Sequence, residues 1–100
     1  AHIIPMLRGH ELRTDPPLIQ QDFYPSAAPR RLVQGRRNTG GQFIPEGIDV
    51  TFYENGRVKR FTDYEKGVKH GVEMTWDSDG QVLTHLVYRQ GISVNKAQNK

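Results

Sequence analysis

Tyr53-Glu54-Asn55-Gly56-Arg57-Val58-Lys59 returns 24 residues later as Asp77-Ser78-Asp79-Gly80-Gln81-Val82-Leu83, and that spacing decides the fold. A second pair keeps the same offset: Tyr64-Glu65-Lys66-Gly67-Val68 and Tyr88-Arg89-Gln90-Gly91-Ile92. Flanking positions follow, with Phe52 matched to Trp76, Asn55 to Asp79 and Val58 to Val82. A fixed period of this size marks one supersecondary unit copied in tandem. Each segment carries glycine where a three-residue hairpin loop needs a left-handed residue after a type I turn. Four such turns are therefore expected, at Gly56, Gly67, Gly80 and Gly91.

Turns of one geometry fix the register of the strands they join. The register expected sets Phe52 opposite Val58, Trp76 opposite Val82, Val72 opposite Arg60 and Leu86, and Met74 opposite Val58 and Thr84. Since successive strand residues point to opposite sides, one side then collects a sheet core of Phe52, Val58, Tyr64, Val72, Met74, Trp76, Val82, Leu86 and Tyr88. Ile48, Val50, Val68, Ile92 and Val94 join it, with Arg60, Thr62, His70 and Thr84 as its polar members. The other side holds Asp49, Thr51, Lys59, Lys69, Glu73 and His85 among others, with Tyr53, Phe61, Leu83 and Val87 as apolar exceptions. The fold class is all-β: an antiparallel meander of repeated hairpins, roughly three repeats of about 24 residues.

A weaker copy precedes these two. Phe23-Tyr24-Pro25-Ser26-Ala27 parallels Phe52-Tyr53-Glu54-Asn55-Gly56 at an offset of 29, and Glu46-Gly47 parallels His70-Gly71 at 24. Ala27 stands where the turn glycine belongs, and five extra residues fall between Gly35 and Pro45. The run Gly35-Arg36-Arg37-Asn38-Thr39-Gly40-Gly41-Gln42 reads as a flexible basic loop. Three segments are expected: an irregular arm over 1–21 with Pro5, Pro16 and Pro17, the repeat domain over 22–94, and a frayed tail over 95–100.

The order Tyr-Glu-Asn-Gly-Arg-Val-Lys (53–59), Tyr-Glu-Lys-Gly-Val-Lys-His-Gly (64–71), Asp-Gly-Gln-Val (79–82) and Tyr-Arg-Gln-Gly (88–91) resembles the variant MORN repeats of bacterial YwqK-type antitoxin-like proteins. The resemblance covers about residues 23–94. It implies an array of antiparallel hairpins used for interaction, with no catalytic residues. It also implies an exported or periplasmic bacterial protein rather than a cytoplasmic one, which fits a chain that starts at Ala1 without Met. The departures from the family pattern are Ala27 and the residues after Gly35.

Composition narrows the functional classes. The 100 residues contain no cysteine, which removes disulfides, thiolate metal sites and cysteine nucleophiles. No apolar run reaches the roughly 18 residues of a membrane span. No histidine or carboxylate pair stands at metal-ligand spacing, and Ser26, Ser78 and Ser93 lie in turns or the tail without a nucleophile elbow. Asp77 and Asp79 are explained as turn-capping groups. No enzyme, cofactor or metal is expected.

The net charge of +3 is mild. Its basic cluster, Arg30, Arg31, Arg36 and Arg37, suits an acidic protein partner better than a nucleic acid, because interleaved stacking aromatics are few. Tyr53 and Phe61, on the polar side, are expected to be exposed and available for contact. The strongest clue is the oily side, because each fully buried large side chain is worth roughly 1.5–3 kcal/mol. The arm, a second copy of the chain or a foreign partner has to cover it. The expected function is a non-enzymatic protein–protein interaction module. The alternatives are an immunity or antitoxin-like protein that covers a toxin, and a nucleic-acid-binding basic domain.

Overall fold

The computed structural model describes residues 17–94, and every regular element among them is a strand. The strands are β1 (Leu18–Phe23), β2 (Pro29–Arg37), β3 (Phe43–Phe52), β4 (Val58–Glu65), β5 (Val68–Trp76), β6 (Val82–Arg89) and β7 (Ile92–Ser93). Each pairs antiparallel with the next, in one open sheet ordered β1 to β7. The body measures 56 × 43 × 16 Å, and its thin dimension is that of a single twisted layer. The all-β meander is as expected. Leu18–Gln21, expected in the irregular arm, belong to β1, and the rest of the expected arm (1–16) and tail (95–100) lies outside the described residues.

Four loops share one pattern of backbone hydrogen bonds. In each, the first residue donates to the carbonyl of the fifth, and the fourth donates back to the first: Tyr24–Ala28, Asn38–Gln42, Tyr53–Arg57 and Asp77–Gln81. The fourth residue is left-handed in every case, with φ of 76° at Ala27, 88° at Gly41, 93° at Gly56 and 97° at Gly80. The loops at Gly56 and Gly80 are therefore as expected, and Ala27 closes a hairpin of the same shape despite lacking glycine. Gly67 and Gly91 do not. They are the second residues of two-residue turns, after Lys66 (φ 51°) and Gln90 (φ 54°), closed by the pairs Glu65–Val68 and Arg89–Ile92. Two left-handed residues in succession match the right-handed twist of the flanking strands, which makes this the tighter connection.

The run after Gly35 is no flexible loop. Arg36 and Arg37 lie in β2, paired with Ile44 and Phe43, so the extra residues simply lengthen the β2–β3 hairpin. Only Asn38–Gln42 turns. There the buried Asn38 accepts hydrogen bonds from the backbone N–H of Gly40 and Gln42, at 3.0 and 2.9 Å, which replaces the order that a longer loop would lack.

The register differs from the one the turns alone dictate. Beside three of the loops a single extra residue is inserted: Arg30 between the pairs Phe23–Pro29 and Asp22–Arg31, Lys59 between Phe52–Val58 and Thr51–Arg60, and Leu83 between Trp76–Val82 and Thr75–Thr84. Such a bulge moves every pair beyond it by one position and so exchanges the faces. Leu32, Val50, Phe61, Met74 and His85 now form one row across the sheet. Val72 faces Val87, not Arg60 or Leu86.

By strand alternation the apolar side comprises Leu32, Ile48, Val50, Phe52, Val58, Phe61, Val72, Met74, Trp76, Val82 and Val87. It gains Phe61, Val87, Asp63, His85 and Arg89, and loses Tyr64, Leu86, Tyr88, Arg60, Thr62 and Thr84 to the polar side. Tyr64, Leu86 and Tyr88 are thus no part of the apolar core, and Val82, although on the right side, is 53 % exposed. The slip moves a guanidinium and two hydroxyls off the oily side and brings Asp63, His85 and Arg89 onto it.

A non-glycine residue in the left-handed region costs about 1–2 kcal/mol, part of which glycine gives back through the entropy of its unfolded chain. Ala27→Gly is therefore expected to stabilise the protein by about 0.5–1 kcal/mol, read as a higher urea midpoint at unchanged slope. Gly56→Ala, whose added methyl would meet no atom within 4 Å, is expected to destabilise it by about 1 kcal/mol through backbone strain alone.

Candidate functional site

The most buried positions of this thin sheet lie on its polar side. Val33, Asp49, Thr62 and Glu73 face one another in a row across β2 to β5, and are 5, 2, 0 and 6 % exposed. A carboxylate reaches such a position only if it is paired, and both are. Asp49 accepts two hydrogen bonds from Arg31, at 3.0 and 2.7 Å, in a bidentate pair. Glu73 accepts from the Thr62 hydroxyl at 3.2 Å and from Lys69 Nζ at 3.1–3.2 Å. Lys69 Nζ also sits 4.9 Å from the centre of the Tyr88 ring. Burial alone would lower the Lys69 pKa, but the Glu73 hydrogen bond and charge, with Tyr88 and Tyr64 nearby, hold it above its ordinary 10.5. The Asp49 hydrogen bond likewise raises Arg31, against the opposing effect of burial.

Towards the loops this side opens into a groove of about 510 Å³ that crosses from Asp22 on β1 to Leu83 on β6. Tyrosines frame it. The Tyr24 hydroxyl donates to the Phe52 carbonyl at 2.6 Å, and the Tyr53 hydroxyl donates to the Trp76 carbonyl at 2.7 Å. Each ring therefore latches one hairpin to the next. Each also carries a cation over its face, Arg30 at 5.7 Å and Lys59 at 5.5 Å, and these are the bulge residues of their hairpins. The third hairpin has Asp77 and Leu83 at the corresponding places, so the series of latches ends there.

The expected contact residues separate. Arg30 and Arg31 reach this groove but are tied to Asp22 (2.6 Å) and Asp49 (2.7 Å). Arg36 and Arg37 stand at the opposite end of β2, about 20 Å away at some 3.3 Å per residue, where Arg37 donates to the Gly41 carbonyl at 3.1 Å. The four arginines form no single patch. Tyr53 is a half-buried latch, not a free ring. Phe61 belongs to the apolar side, between Val50 and Met74. His70 accepts from the Gln90 N–H at 3.2 Å and lies 3.6 Å from Glu65, at the turn end. Among the described residues no group of three metal-ligating side chains converges, and no helix is long and apolar enough to cross a membrane.

Sequence reasoning passed over Asp49, Thr62, Glu73 and Arg60. Asp49 and Glu73 are 24 residues apart, so the period itself marked them as carboxylates in corresponding places. The same holds for Tyr24 with Arg30 and Tyr53 with Lys59, both six residues apart. No family model, no curated protein and no solved structure matches this chain.

Removing the buried partner of a charged pair costs about 1–3 kcal/mol, so Asp49→Ala is expected to lower stability by that amount in urea unfolding. Asp22→Ala, at a fully exposed pair, is expected to change it little. The Arg30 hydrogen bond, opposed by slight burial and helped by the Phe23 N–H, holds the Asp22 carboxyl below its ordinary 3.8. Because the folded value is depressed, the pair stabilises fully above 3.8 and is lost as pH falls through the folded value. In a carbon-detected titration Arg30→Ala is expected to move the Asp22 midpoint up towards 3.8.

Proposed function

We propose that the protein is a non-enzymatic protein-binding module of the bacterial MORN-variant kind, docking through the apolar side of its sheet. One observation carries this reading: the sheet is a single layer, and of the large apolar side chains on its oily side only Val50 is buried, at 7 % exposure. Phe52, Phe61, Val72, Met74 and Trp76 stay half-buried although they adjoin one another. An apolar surface of this extent is what interfaces use, because bringing it out of water contributes about 25 cal/mol per Å². The polar side does not compete for the role of a catalytic centre. Its two buried carboxylates are each neutralised by a cation and hydrogen-bonded, an arrangement that holds a sheet together and leaves no free base. The turn period of 24 residues and the left-handed glycines Gly47 and Gly71, also 24 apart, support the family reading.

The test is sedimentation of the full chain over a range of concentration and salt, with Val82→Glu as the variant, since that residue is already half-exposed. Association that holds or strengthens in high salt, and is weakened by Val82→Glu without loss of thermal stability, is the expected result. A monomer at every concentration, with hydrogen exchange showing the oily side protected by the chain's own termini, contradicts the reading.

A further inference from the structure

We propose that the groove on the polar side binds an extended acidic peptide, seating a carboxylate side chain between Arg60 and Lys59. Arg60 lines the groove. It lies on the groove floor, paired across the strands with Thr51 on one side and Thr75 on the other, and is half-buried. It makes no hydrogen bond or ion pair with any described residue, whereas its neighbours Arg30 and Arg31 are both neutralised by carboxylates. Lys59, the adjacent bulge residue, meets only the face of Tyr53. Two neighbouring cations without a counter-ion among the described residues, Arg60 on the floor of a concave site and Lys59 exposed beside it, select an anion.

The shape selects a peptide. The groove crosses six strands, from β1 to β6, and five strand spacings of about 4.8 Å make it about 24 Å long. At roughly 3.3 Å per residue that holds about seven residues of extended chain. Its wall is largely apolar, with Leu83 62 % exposed at one end, so residues flanking the acidic one find hydrocarbon to cover. A nucleic acid fits less well. Bases need free aromatic faces, and those of Tyr24 and Tyr53 already carry Arg30 and Lys59. One anion at the centre and apolar contacts beside it describe a short acidic peptide segment.

This surface is opposite the oily side and acts independently of it. The two respond to salt in opposite ways, so failure of one is told apart from failure of the other. The probe is a blocked, fluorescein-labelled heptapeptide with one central Glu flanked by Val, titrated with the full chain by fluorescence anisotropy. Competitors are the same peptide with Gln for Glu, inorganic phosphate and an oligothymidylate. The Glu peptide is expected to bind with an affinity that falls as salt rises, the Gln peptide about tenfold more weakly, and oligothymidylate to compete no better than phosphate. Arg60→Gln is expected to weaken binding about tenfold, and Lys59→Gln, at an exposed position, by a few-fold. Should Arg60→Gln fail to fold, Lys59→Glu has to abolish binding. Equal affinity for the Glu and Gln peptides, unchanged affinity in the folded Arg60→Gln or Lys59→Glu variant, or stronger binding of oligothymidylate overturns the proposal.

Discussion

A sheet one layer thick has no opposing layer to choose which way its side chains face, so cross-strand register carries the whole structure. Beside three of the loops that register is set by three inserted residues, Arg30, Lys59 and Leu83, and the β2–β3 and β4–β5 pairings shift again at Val33–Gly35 and Thr62–Tyr64. A slip of one position would reverse the two sides. With the insertions in place, Val50, Phe61 and Met74 align on one side, and Asp49, Thr62 and Glu73 on the other. Without them, Arg60 and Thr62 would interrupt the oily side and the buried ion pairs could not form.

The same insertions build the polar side's features. Because Arg30 and Lys59 are the extra residues, they lie beside Arg31 and Arg60 on one side of the sheet instead of alternating away. Four cations thus crowd into a single groove, and two of them draw carboxylates, Asp22 and Asp49. The tyrosine latches need this geometry as well, since Tyr24 and Tyr53 each lie under the cation of their own hairpin while bonding the carbonyl of the next. Lateral hydrogen bonds of this kind, together with the Asn55 amide on the Ser78 carbonyl at 3.1 Å, replace the packing that a second layer would supply.

Much of this was legible in the sequence. Gly56 and Gly80 announce their turns because a left-handed position favours glycine, and the period of 24 residues orders the hairpins into a meander. The insertions were not legible. Lys59, Arg30 and Leu83 are ordinary strand residues, and a bulge of this kind needs neither glycine nor proline to mark it. Everything that depends on them was therefore misassigned: Tyr64, Leu86 and Tyr88 to the oily side, Phe61 and His85 to the polar one. Composition misled in a different way over residues 35–45. Two arginines followed by Asn-Thr-Gly-Gly look like a loop, yet only Asn38–Gln42 turns, because Arg36 and Arg37 can pair with β3 wherever their backbone is extended. Ala27 was the converse case: the hydrogen bonds of its loop tolerate an alanine in a strained conformation.

The alignment of β3 with β4 across the inserted Lys59 is the most direct test, and cross-strand proton NOEs in the isotope-labelled protein read it. Contacts joining Val50 with Phe61 and Asp49 with Thr62 are the expected result. Contacts joining Val50 with Arg60 and Asp49 with Phe61 would mean that the loop alone sets the alignment, and that neither the buried carboxylate row nor the cationic groove exists in solution.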